Sequence, residues 1–517
     1  MRFVATILIF FIFNAQGICA ERIVSSNTEA YKALNKLNAG DQLIFKNGEY
    51  KNIQLIIAKS GTENKKIIIK AKNPGKVFFT GDAKVELRGS YIVFEGFVFK
   101  NGNRNPENWK SHGPGLVAVY GSFNRITQCV FDNFDEAHSA WITTSLDEKG
   151  NVPTHCRIDH CSFTNKLTFD QVINLNNTPK KDTIGGPAMY HRVDHCFFSN
   201  PKKPGNAGGA IRIGYYRNDV GRCIIDSNLF VRQDSEPEII TGKSRENIYY
   251  VNTFLNCQGS LNFRHGDKQV AINNFFISTD SLYGYGGMFI WGSDHIIANN
   301  YFSLRKTIAS RGSAAIYLNV GTKASEHALA YNSYLINNIF SNVNGYAIHF
   351  NPMIENRKIF AQQENKPLEF PRDIYLFNNI FYNKQFSSYP FFKDDYPDII
   401  RNLNWKNNYY DGSSLGIKPT EGLEPDEMKT ERLNDDFLLP ITPGSINKYN
   451  NFKFYNIPFV DFDIQTKITE GLRGEPLSIN EVLPGWMTAF TGNYFHTGIL
   501  DKELKNILKK ITQKNNQ

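Results

Sequence analysis

The chain has 517 residues, a formal net charge of +8 and 14% aromatic residues. The modest basic excess favours an acidic partner, but there is no Lys/Arg-rich run and no nucleic-acid-binding motif. Nucleic acid and membrane surfaces are therefore disfavoured, and a polyanionic sugar remains. Seven cysteines in a chain of this length are too few for a disulfide-stabilised scaffold.

The N-terminus has the organisation of a secretory signal peptide. Arg2 precedes an apolar run at 3–13, and small residues follow. We predict a signal peptide over residues 1–20, with cleavage after Cys19 or Ala20, and a mature protein that is secreted or periplasmic. The alternative, a membrane anchor, is disfavoured because the apolar run is too short to span a bilayer.

A strand-like unit that ends in an aromatic residue recurs along the chain. FEGFVF, VDHCFF, AINNFF and LINNIF are examples, and consecutive units are 22 to 41 residues apart. A fixed unit with insertions of variable length is typical of a solenoid. The units are rich in β-branched and aromatic residues, with Asn and Gly at the bends, which favours strands. The aligned aromatic residues are Phe99, Phe131, Phe163, Phe198, Phe230, Phe254, Phe276, Phe302, Phe340, Phe381 and Tyr410.

This repeat predicts an all-β fold, a right-handed single-stranded parallel β-helix with loop insertions over residues 21–415. A β-propeller is the alternative, but its blades need roughly 40 residues each. The repeat fades after about residue 415. We interpret residues 416–517 as an extension that caps the solenoid and ends in a short amphipathic helix at 500–511. A separate binding domain is the alternative for this region.

The repeat also predicts a column of polar side chains inside the solenoid. The residue two positions before each aromatic is Cys or Asn in ten consecutive units. Because stacked coils lie about 4.8 Å apart, the Asn amides are expected to form a hydrogen-bonded ladder. We predict that the Cys residues are its buried, reduced continuation rather than a metal site. The members are Cys129, Cys161, Cys196, Asn228, Asn252, Asn274, Asn300, Asn338, Asn379 and Asn408.

Two carboxylates occur one residue apart in the segment SEPEIITGKS. Glu238 lies eight residues after Phe230, as Asn206 lies eight after Phe198, so the two are expected to be neighbours on adjacent coils. Glu236 would share a strand face with Glu238. Two carboxylates and an amide oxygen suit a hard divalent cation, most naturally Ca²⁺. In the alternative, both glutamates face solvent or pair with Arg232, Lys243 or Arg245.

Basic residues follow on the same flank of the predicted solenoid. Lys243 belongs to the acidic segment, and Arg264 and His265 lie one coil later in LNFRHGDKQV. Together with the glutamates they favour a cleft for an anionic ligand, although such residues are often only solvated or structural. Trp291, in GGMFIWGSDH, is a candidate platform for sugar stacking; core packing of Phe289 or Trp291 is the alternative.

The segment SEPEIITGKSRENIYYVNTFLNCQGSLNFRHGDKQVAINNFF resembles polysaccharide lyase family 6 and, within it, the dermatan sulfate lyases. GNAGGAIRIGYYRND, FDQVINLNN, ASEHALA and NGYAIHFNP extend the resemblance over residues 40 to 400. Two departures concern substrate subsites. Asn356 precedes Arg357 where the family has consecutive arginines, and the loop at 179–184 is shorter and offers Lys180 and Lys181 in place of an arginine.

The resemblance implies β-elimination at a uronic acid and a role for each matching residue. The calcium ligands would be Asn206, Glu236 and Glu238. The general base would be Lys243, with Arg264 as the acid or leaving-group stabiliser and Glu326 orienting both. The substrate-binding residues would be His112, His265, Arg311 and Arg357.

Three hypotheses follow for the function. The first is a secreted, calcium-dependent and monomeric lyase for dermatan sulfate, and the second is a lyase for alginate, the other substrate class of the family. The third is a non-catalytic β-helix that only binds glycans. A lysine base beside an arginine and paired acids argues against the third hypothesis, because adhesion requires no proton transfer.

Overall fold

The computed structural model describes residues 19–103, 114–135, 139–168, 170–177, 187–199, 201, 208–323, 326–352, 354–363, 365–399, 401–434, 437–441, 464–469, 472 and 477–487. Some of the sequence predictions lie outside the described residues, namely those on residues 1–18 of the signal peptide, His112, the loop at 179–184, Asn206 and the segment 500–511.

The described chain winds into a right-handed parallel β-helix, which confirms the fold predicted from the repeat. Each full coil contributes one strand to each of three parallel sheets, called A, B and C in the order in which the chain meets them. Among the described residues, sheets A and B have 14 strands each and sheet C has 12.

The bounds of the strands are as follows. Sheet A contains Glu21–Val24, Gln42–Phe45, Ile67–Ala71, Ile92–Glu95, Arg125–Thr127, Arg157–Asp159, Arg192–Asp194, Ile224–Asp226, Ile248–Tyr250, Val270–Ile272, Ile296–Ala298, Tyr331–Ile336, Arg372–Phe377 and Leu403–Lys406. Sheet B contains Gly48–Lys51, Val77–Gly81, Val98–Gly102, Val130–Asp132, Ser162–Thr164, Phe197–Ser199, Leu229–Val231, Thr253–Leu255, Phe275–Ile277, Tyr301–Ser303, Ile339–Ser341, Ile380–Tyr382, Asn408–Asp411 and Leu423–Pro425. Sheet C contains Gln54–Ile57, Lys84–Leu87, Val117–Val119, Ile142–Thr144, Ile173–Leu175, Ile211–Ile213, Glu238–Gly242, Ser260–Phe263, Met288–Ile290, Ala314–Leu318, Tyr346–Phe350 and Phe392–Asp394.

Short helices and one hairpin complete the described structure. The helices are α1 (Asn27–Leu34), α2 (Ile354–Gln363), α3 (Ile464–Thr469) and α4 (Ile479–Val482), with 3₁₀ turns at Ala309–Arg311 and Gly485–Met487. The antiparallel hairpin pairs Lys429–Asn434 with Phe437–Ile441. None of the helices in the described part of the chain is both long and apolar enough to span a membrane.

The aromatic residue of each repeat unit stacks on that of the next coil inside the solenoid. From Phe99 to Phe381 the centres of consecutive rings lie 4.6 to 5.1 Å apart. Tyr410 pairs in register with Phe381 as the last member. The alignment of units read from the sequence is therefore the register of sheet B.

The predicted polar column is confirmed as a buried ladder. Each Asn from Asn228 to Asn379 donates through Nδ2 to Oδ1 of the next member at 2.9 to 3.0 Å. Cys196 continues the column, because its amide donates to Asn228 Oδ1 at 3.0 Å. The three column cysteines, which include Cys129 and Cys161, are free thiols with no exposed surface.

The Asn-Asn pairs of the later repeat units have a simple conformational cause. The second Asn of each pair is the ladder residue, and the first has a left-handed backbone, with φ of 55° at Asn273 and 54° at Asn337. Among residues with a Cβ, Asn tolerates this conformation best. The first Asn therefore makes the turn between sheets A and B, and the second fills the core beneath it.

The described parts of the C-terminal extension pack along the outer faces of sheets A and B, and the cap over the end of the solenoid stays a prediction. Ile464 and Ile468 of α3 join an apolar cluster on the outer face of sheet A, and Asn299 Nδ2 donates to Lys467 O at 2.8 Å. The outer face of sheet B is covered by the hairpin, where Tyr301 Oη donates to Leu438 O at 2.9 Å, and by α4. Apolar residues on the outside of these coils require such a cover. The last strand of sheet B, at 423–425, also lies beyond the predicted boundary at 415.

Candidate active site

Three candidate residues lie side by side where the strands of sheet C end. Lys243 and Arg264 directly follow Gly242 and Phe263, which pair across the sheet. Trp291 holds the equivalent position on the next coil. The amides of Arg264 and Trp291 donate to Gly242 O and Phe263 O, both at 2.9 Å, so the backbone ladder continues through these residues. Strand pairing thus aligns a lysine, an arginine and an indole in one column.

Glu238, at the start of its sheet C strand, is bonded on both carboxylate oxygens. Oε1 accepts a hydrogen bond from Arg264 Nη1 at 2.5 Å, and Oε2 accepts one from Thr241 Oγ1 at 3.1 Å. Arg232, one of the partners considered from the sequence, pairs instead with Asp280 at 2.7 Å. The charged partner of Glu238 is therefore Arg264. This arginine lies on the next coil, and the family resemblance implies a different role for it, stabilisation of the leaving group.

Glu236 is largely buried, at 7% exposed, and precedes the strand that begins at Glu238. Its Oε1 accepts a hydrogen bond from the amide of Gly209 at 3.0 Å. Glu236 thus lies just before the strand, and its position on the same face as Glu238 stays a prediction. Both carboxylates nevertheless act electrostatically on the cations Lys243 and Arg311, so the two acids face the same group of basic side chains.

In this part of sheet C, residues at equal spacing from the aromatic residue of their coil are not neighbours. Ile211 pairs with Ile240, yet Ile211 lies 13 residues after Phe198 and Ile240 lies 10 after Phe230. The connection from sheet B to sheet C is three residues longer in the earlier coil. The predicted pairing of Asn206 with Glu238 depends on this spacing, and Asn206 itself lies outside the described residues.

Lys243 lies in a partly buried, basic environment. Burial, followed by the Arg212 and Arg264 guanidinium groups, lowers the pKa of Lys243 to about 8, and Glu238 opposes this shift. The Lys243 Nζ atom lies 5.9 Å from the centre of the Tyr215 ring. A lysine with this pKa is partly neutral near neutral pH and can accept a proton.

His265 and Glu326 are brought together by a loop that returns over the end of sheet C. Glu326 Oε2 lies 3.2 Å from His265 Nδ1 and accepts a hydrogen bond from the Arg217 amide at 2.8 Å. Burial raises the pKa of Glu326. Burial, with Lys243 and Arg264 nearby, lowers the pKa of His265 well below its usual value.

Arg311 ends the 3₁₀ turn at Ala309–Arg311, and its side chain lies over Phe289 in the middle of a sheet C strand. Its guanidinium carbon lies 4.8 Å from the centre of the Phe289 ring, and its Nη1 donates to Ser260 Oγ at 3.4 Å. Burial lowers the pKa of Arg311, and the charge of Glu238 opposes this effect. A half-buried guanidinium with few charge-neutralising contacts favours binding of an anionic group.

Trp291 is buried in a small apolar cluster beneath two arginines, so the structure corrects its assignment as a sugar-stacking platform. The side chain is 2% exposed and packs against Phe289, as the core-packing alternative proposed. The guanidinium carbons of Arg264 and Arg357 lie 5.2 and 5.0 Å from the Trp291 ring centre. Burial, followed by the charge of Arg264, lowers the pKa of Arg357 to about 10. An indole covered in this way positions cations through its ring face.

A cavity of about 550 Å³ adjoins these residues on the side of Glu236 and Arg311. The segment from Lys306 to Arg311 forms one wall. Its size lies within the range of small-ligand sites. Glu236 and Arg311 therefore border an open volume rather than a closed core.

Arg212 and Tyr215 belong to the site but were not singled out from the sequence. Arg212 is 4% exposed, and its Nη2 donates to Tyr215 Oη at 2.6 Å. Its strand reads Ile-Arg-Ile, so a cation projects outward between two inward-facing β-branched residues. This pattern is the signal that could have identified Arg212, since a charged residue in the middle of a sheet strand is costly without a function.

The donor atoms fit the predicted cation in their chemistry. Glu236 and Glu238 supply anionic oxygen ligands, which suit Ca²⁺. Within the described ranges, no cluster of three or more His, Cys, Asp and Glu residues is arranged to hold a metal. The predicted calcium ligands would not form such a cluster, because one of the three is the amide of Asn206.

The fold and the basic side chains together define a class, the right-handed parallel β-helices with a site suited to an anionic ligand. The chondroitinase B family model matches residues 24–455, and the chain belongs to this family. The resemblance to polysaccharide lyase family 6 is thereby confirmed. The charge of Arg264 acts on His265, Arg311 and Arg357, so these three lie in the same group of basic side chains, whereas His112 lies outside the described residues.

Several solved structures share the fold. The family 6 alginate lyase AlyGC superposes with a TM-score of 0.71 at 24% identity, over 90% of this chain and 59% of that one. A mannuronic acid-specific family 6 lyase from human gut microbiota has a TM-score of 0.64 at 23% identity, over 79% and 91%. A family 6 alginate lyase in complex with a trisaccharide has a TM-score of 0.63 at 19% identity, over 83% and 92%. The chain thus spans 59% of the length of AlyGC. No curated protein sequence matches it.

Proposed function

We propose that the protein is a secreted, calcium-dependent polysaccharide lyase that cleaves dermatan sulfate at iduronic acid by β-elimination. The observation that carries the proposal is the position of Lys243, whose pKa is lowered to about 8, in the same column as Arg264. The family match supports the choice of substrate. Adhesion alone would give no reason to maintain a lysine in a partly neutral state.

The reaction removes the C5 proton of the uronic acid and expels the oxygen at C4. This proton is a weak acid, because the adjacent carboxylate resists the build-up of further negative charge. The neutral Lys243 amine takes the proton through Nζ, and the burial that lowers its pKa keeps a fraction of the side chain neutral at working pH. The C4–O bond breaks as the C4–C5 double bond forms, which leaves an unsaturated uronate.

Arg264 stabilises the departing oxygen, which leaves with the C4–O electron pair and takes up a proton from solvent, while Lys243 releases the C5 proton to solvent and becomes neutral again. An arginine remains charged in a protein, so its contribution is a hydrogen bond and a positive charge rather than the loss of its own proton. Trp291 and Glu238 hold the guanidinium in place from two sides. Glu326 orients His265 beside this pair.

Glu236 and Glu238, together with Asn206, would hold Ca²⁺. When bound, the ion supplies Lewis-acid neutralisation of the substrate carboxylate. The carboxylates also balance the charge of Lys243 and Arg311. Without negative charge at this position, the neighbouring basic side chains would repel one another.

Arg311 and Arg357 bind the anionic groups of the polymer. Both guanidiniums lie over aromatic rings, and partial removal from solvent lowers the pKa of each. Binding of a sulfate or carboxylate would restore the solvation that burial removes. His265, and His112 by family resemblance, would complete the wall of the cleft.

Alginate is the second candidate substrate. The solved structures AlyGC and the gut-microbiota enzyme are described as an alginate lyase and a mannuronic acid-specific lyase, and the fold of this chain is similar to both. Alginate carries carboxylates but no sulfate, so it would use the same base while requiring fewer cations in the cleft.

The experiment is an ultraviolet assay for unsaturated uronate on dermatan sulfate, chondroitin sulfates, heparin and alginate, with Lys243→Ala as the inactive control. We expect dermatan sulfate to be cleaved fastest. Faster cleavage of alginate would assign the protein to the other substrate class. If folded protein cleaves none of the four polymers, the lyase proposal is wrong and glycan binding becomes the function to measure.

A further inference from the structure

Asn262 occupies the centre of the outer face of sheet C. It lies in the strand Ser260–Phe263 and pairs with Thr241 on one neighbouring strand and Phe289 on the other. Its neighbours Leu261 and Phe263 face the core, so the Asn262 side chain points outward into the group of charged residues described above. The side chain has no exposed surface.

The amide of Asn262 has no hydrogen bond, which is rare for a buried amide. Neither Nδ2 nor Oδ1 has a partner among the residues that the structure describes. By contrast, Asn252, which is buried to the same extent, donates to Ile225 O at 2.8 Å and to Asn274 Oδ1 at 3.0 Å. A buried polar group without a partner destabilises the fold, so such a group needs another explanation.

The surroundings of Asn262 show what it would bind. Thr241 on one side donates to Glu238, and the guanidinium of Arg311 covers Phe289 on the other. Arg264 follows two residues later in the same chain segment. The amide therefore lies between the paired acids and the anion-binding arginines. A uronate residue placed here would offer a carboxylate, which can accept a hydrogen bond from Nδ2, and hydroxyl groups, which can donate to Oδ1.

We propose that Asn262 is a substrate-binding residue whose amide hydrogen-bonds to the uronic acid at the cleavage site. Nδ2 donates to the carboxylate, and Oδ1 accepts from a ring hydroxyl. Arg264 and Arg311 end in flexible side chains, and their reorientation onto the anionic polymer gives the sugar access to the amide. The inference rests on the proposed function, because it assumes a uronate ligand. A structural amide would instead be paired, as in the ladder.

The test compares Asn262→Val with Asn252→Val. Valine removes the amide, suits a strand and leaves no unpaired polar group. For Asn262→Val we expect a melting temperature equal to or above that of the native protein. We expect a fall in kcat/KM of roughly tenfold to a hundredfold, the effect of one or two hydrogen bonds to a charged ligand. Asn252→Val should lower the melting temperature by several degrees. Asn262→Ala also removes the amide but has a smaller side chain, so it shows whether an effect of the valine variant is due to steric strain.

A binding measurement separates this inference from the proposed function. A uronate-containing tetrasaccharide is titrated calorimetrically into Lys243→Ala protein, with and without Asn262→Val. We expect weaker binding when Asn262 is replaced. Unchanged binding and unchanged kcat/KM overturn the role of Asn262, as does a loss of melting temperature equal to that of Asn252→Val. If the native protein cleaves no uronate polymer, the lyase proposal fails, and the titration still decides whether Asn262 binds the sugar.

Discussion

Arg264 Nη1 lies 2.5 Å from Glu238 Oε1, in a charge-assisted hydrogen bond between adjacent coils. The family resemblance assigns these two residues to different tasks, calcium binding for Glu238 and leaving-group stabilisation for Arg264. Their direct contact means that a change in one alters the charge and position of the other. The proposed metal site and the proposed catalytic site therefore form one electrostatic unit.

Glu238→Gln tests this coupling. The amide keeps the size of the side chain but removes its charge, so calcium should bind more weakly and Arg264 should lose its anionic partner. We expect a fall in kcat/KM of at least roughly tenfold, measured by the ultraviolet assay, and weaker calcium binding by calorimetry. The matched control is Glu148→Gln, which changes an exposed partner of Arg88 and should leave both quantities unchanged. Normal activity of Glu238→Gln would contradict the shared role.

Removal of calcium should abolish activity. A strong chelator would leave Glu236 and Glu238 without the cation that fits their oxygen donors, and added Ca²⁺ should restore turnover. Calcium should also raise the melting temperature, because a ligand that binds only the folded state stabilises it. Full turnover after confirmed metal loss would show that the reaction does not need the ion.

Lys243→Ala should abolish elimination while the protein stays folded. Loss of general-base catalysis costs roughly 10²- to 10⁴-fold in rate. Lys243→Arg should not restore it, because a guanidinium keeps the charge but cannot lose its proton at working pH. Lys149→Ala, at an exposed turn, is the control for the loss of a lysine. An active Lys243→Arg protein would make Lys243 an electrostatic contact and His265 the better candidate for the base.

The pH dependence of kcat/KM should report the pKa of Lys243. The rate should rise with pH up to about 8, because only the neutral amine accepts a proton. At pH 8 about half of the lysine is neutral, against about 0.3% for a pKa of 10.5. Arg212→Met removes one of the cations that lower this pKa, so the profile should shift to higher pH and kcat/KM at pH 7 should fall by roughly threefold to tenfold. Arg88→Met, at a partly exposed position, should leave the profile unchanged; an unmoved profile for Arg212→Met would contradict its role.

The asparagine ladder should be a main source of stability. In Asn274→Leu, the amide of Asn252 and the carbonyl of Tyr249 would lose their bonds to Asn274 in a buried setting. We expect a loss of at least about 3 kcal/mol in the free energy of unfolding, measured by denaturant titration. Asn404→Leu, on an exposed strand, should change it by less than about 0.5 kcal/mol. Equal effects of the two substitutions would contradict the importance of the ladder.

The sequence by itself determined the β-helix, the register of sheet B and the buried ladder. One aromatic residue and one Asn recur in each unit at a constant offset, and parallel stacking converts a constant offset into direct contact. Phe254 on Phe276 and Asn252 on Asn274 follow from this rule alone. The identity of the candidate base and arginine came from the family resemblance, because neither residue stands at a constant offset.

Only the tertiary structure decided how the site is assembled. The connections between sheets B and C differ in length from coil to coil, so counting from the aromatic residue does not locate neighbours there. Strand pairing instead brings Lys243 beside Arg264. Long side chains then form contacts across coils, as Arg264 does with Glu238. Burial places Trp291 beneath two cations and leaves the Asn262 amide unpaired. These outcomes depend on loop lengths, rotamers and desolvation, which no periodic pattern records.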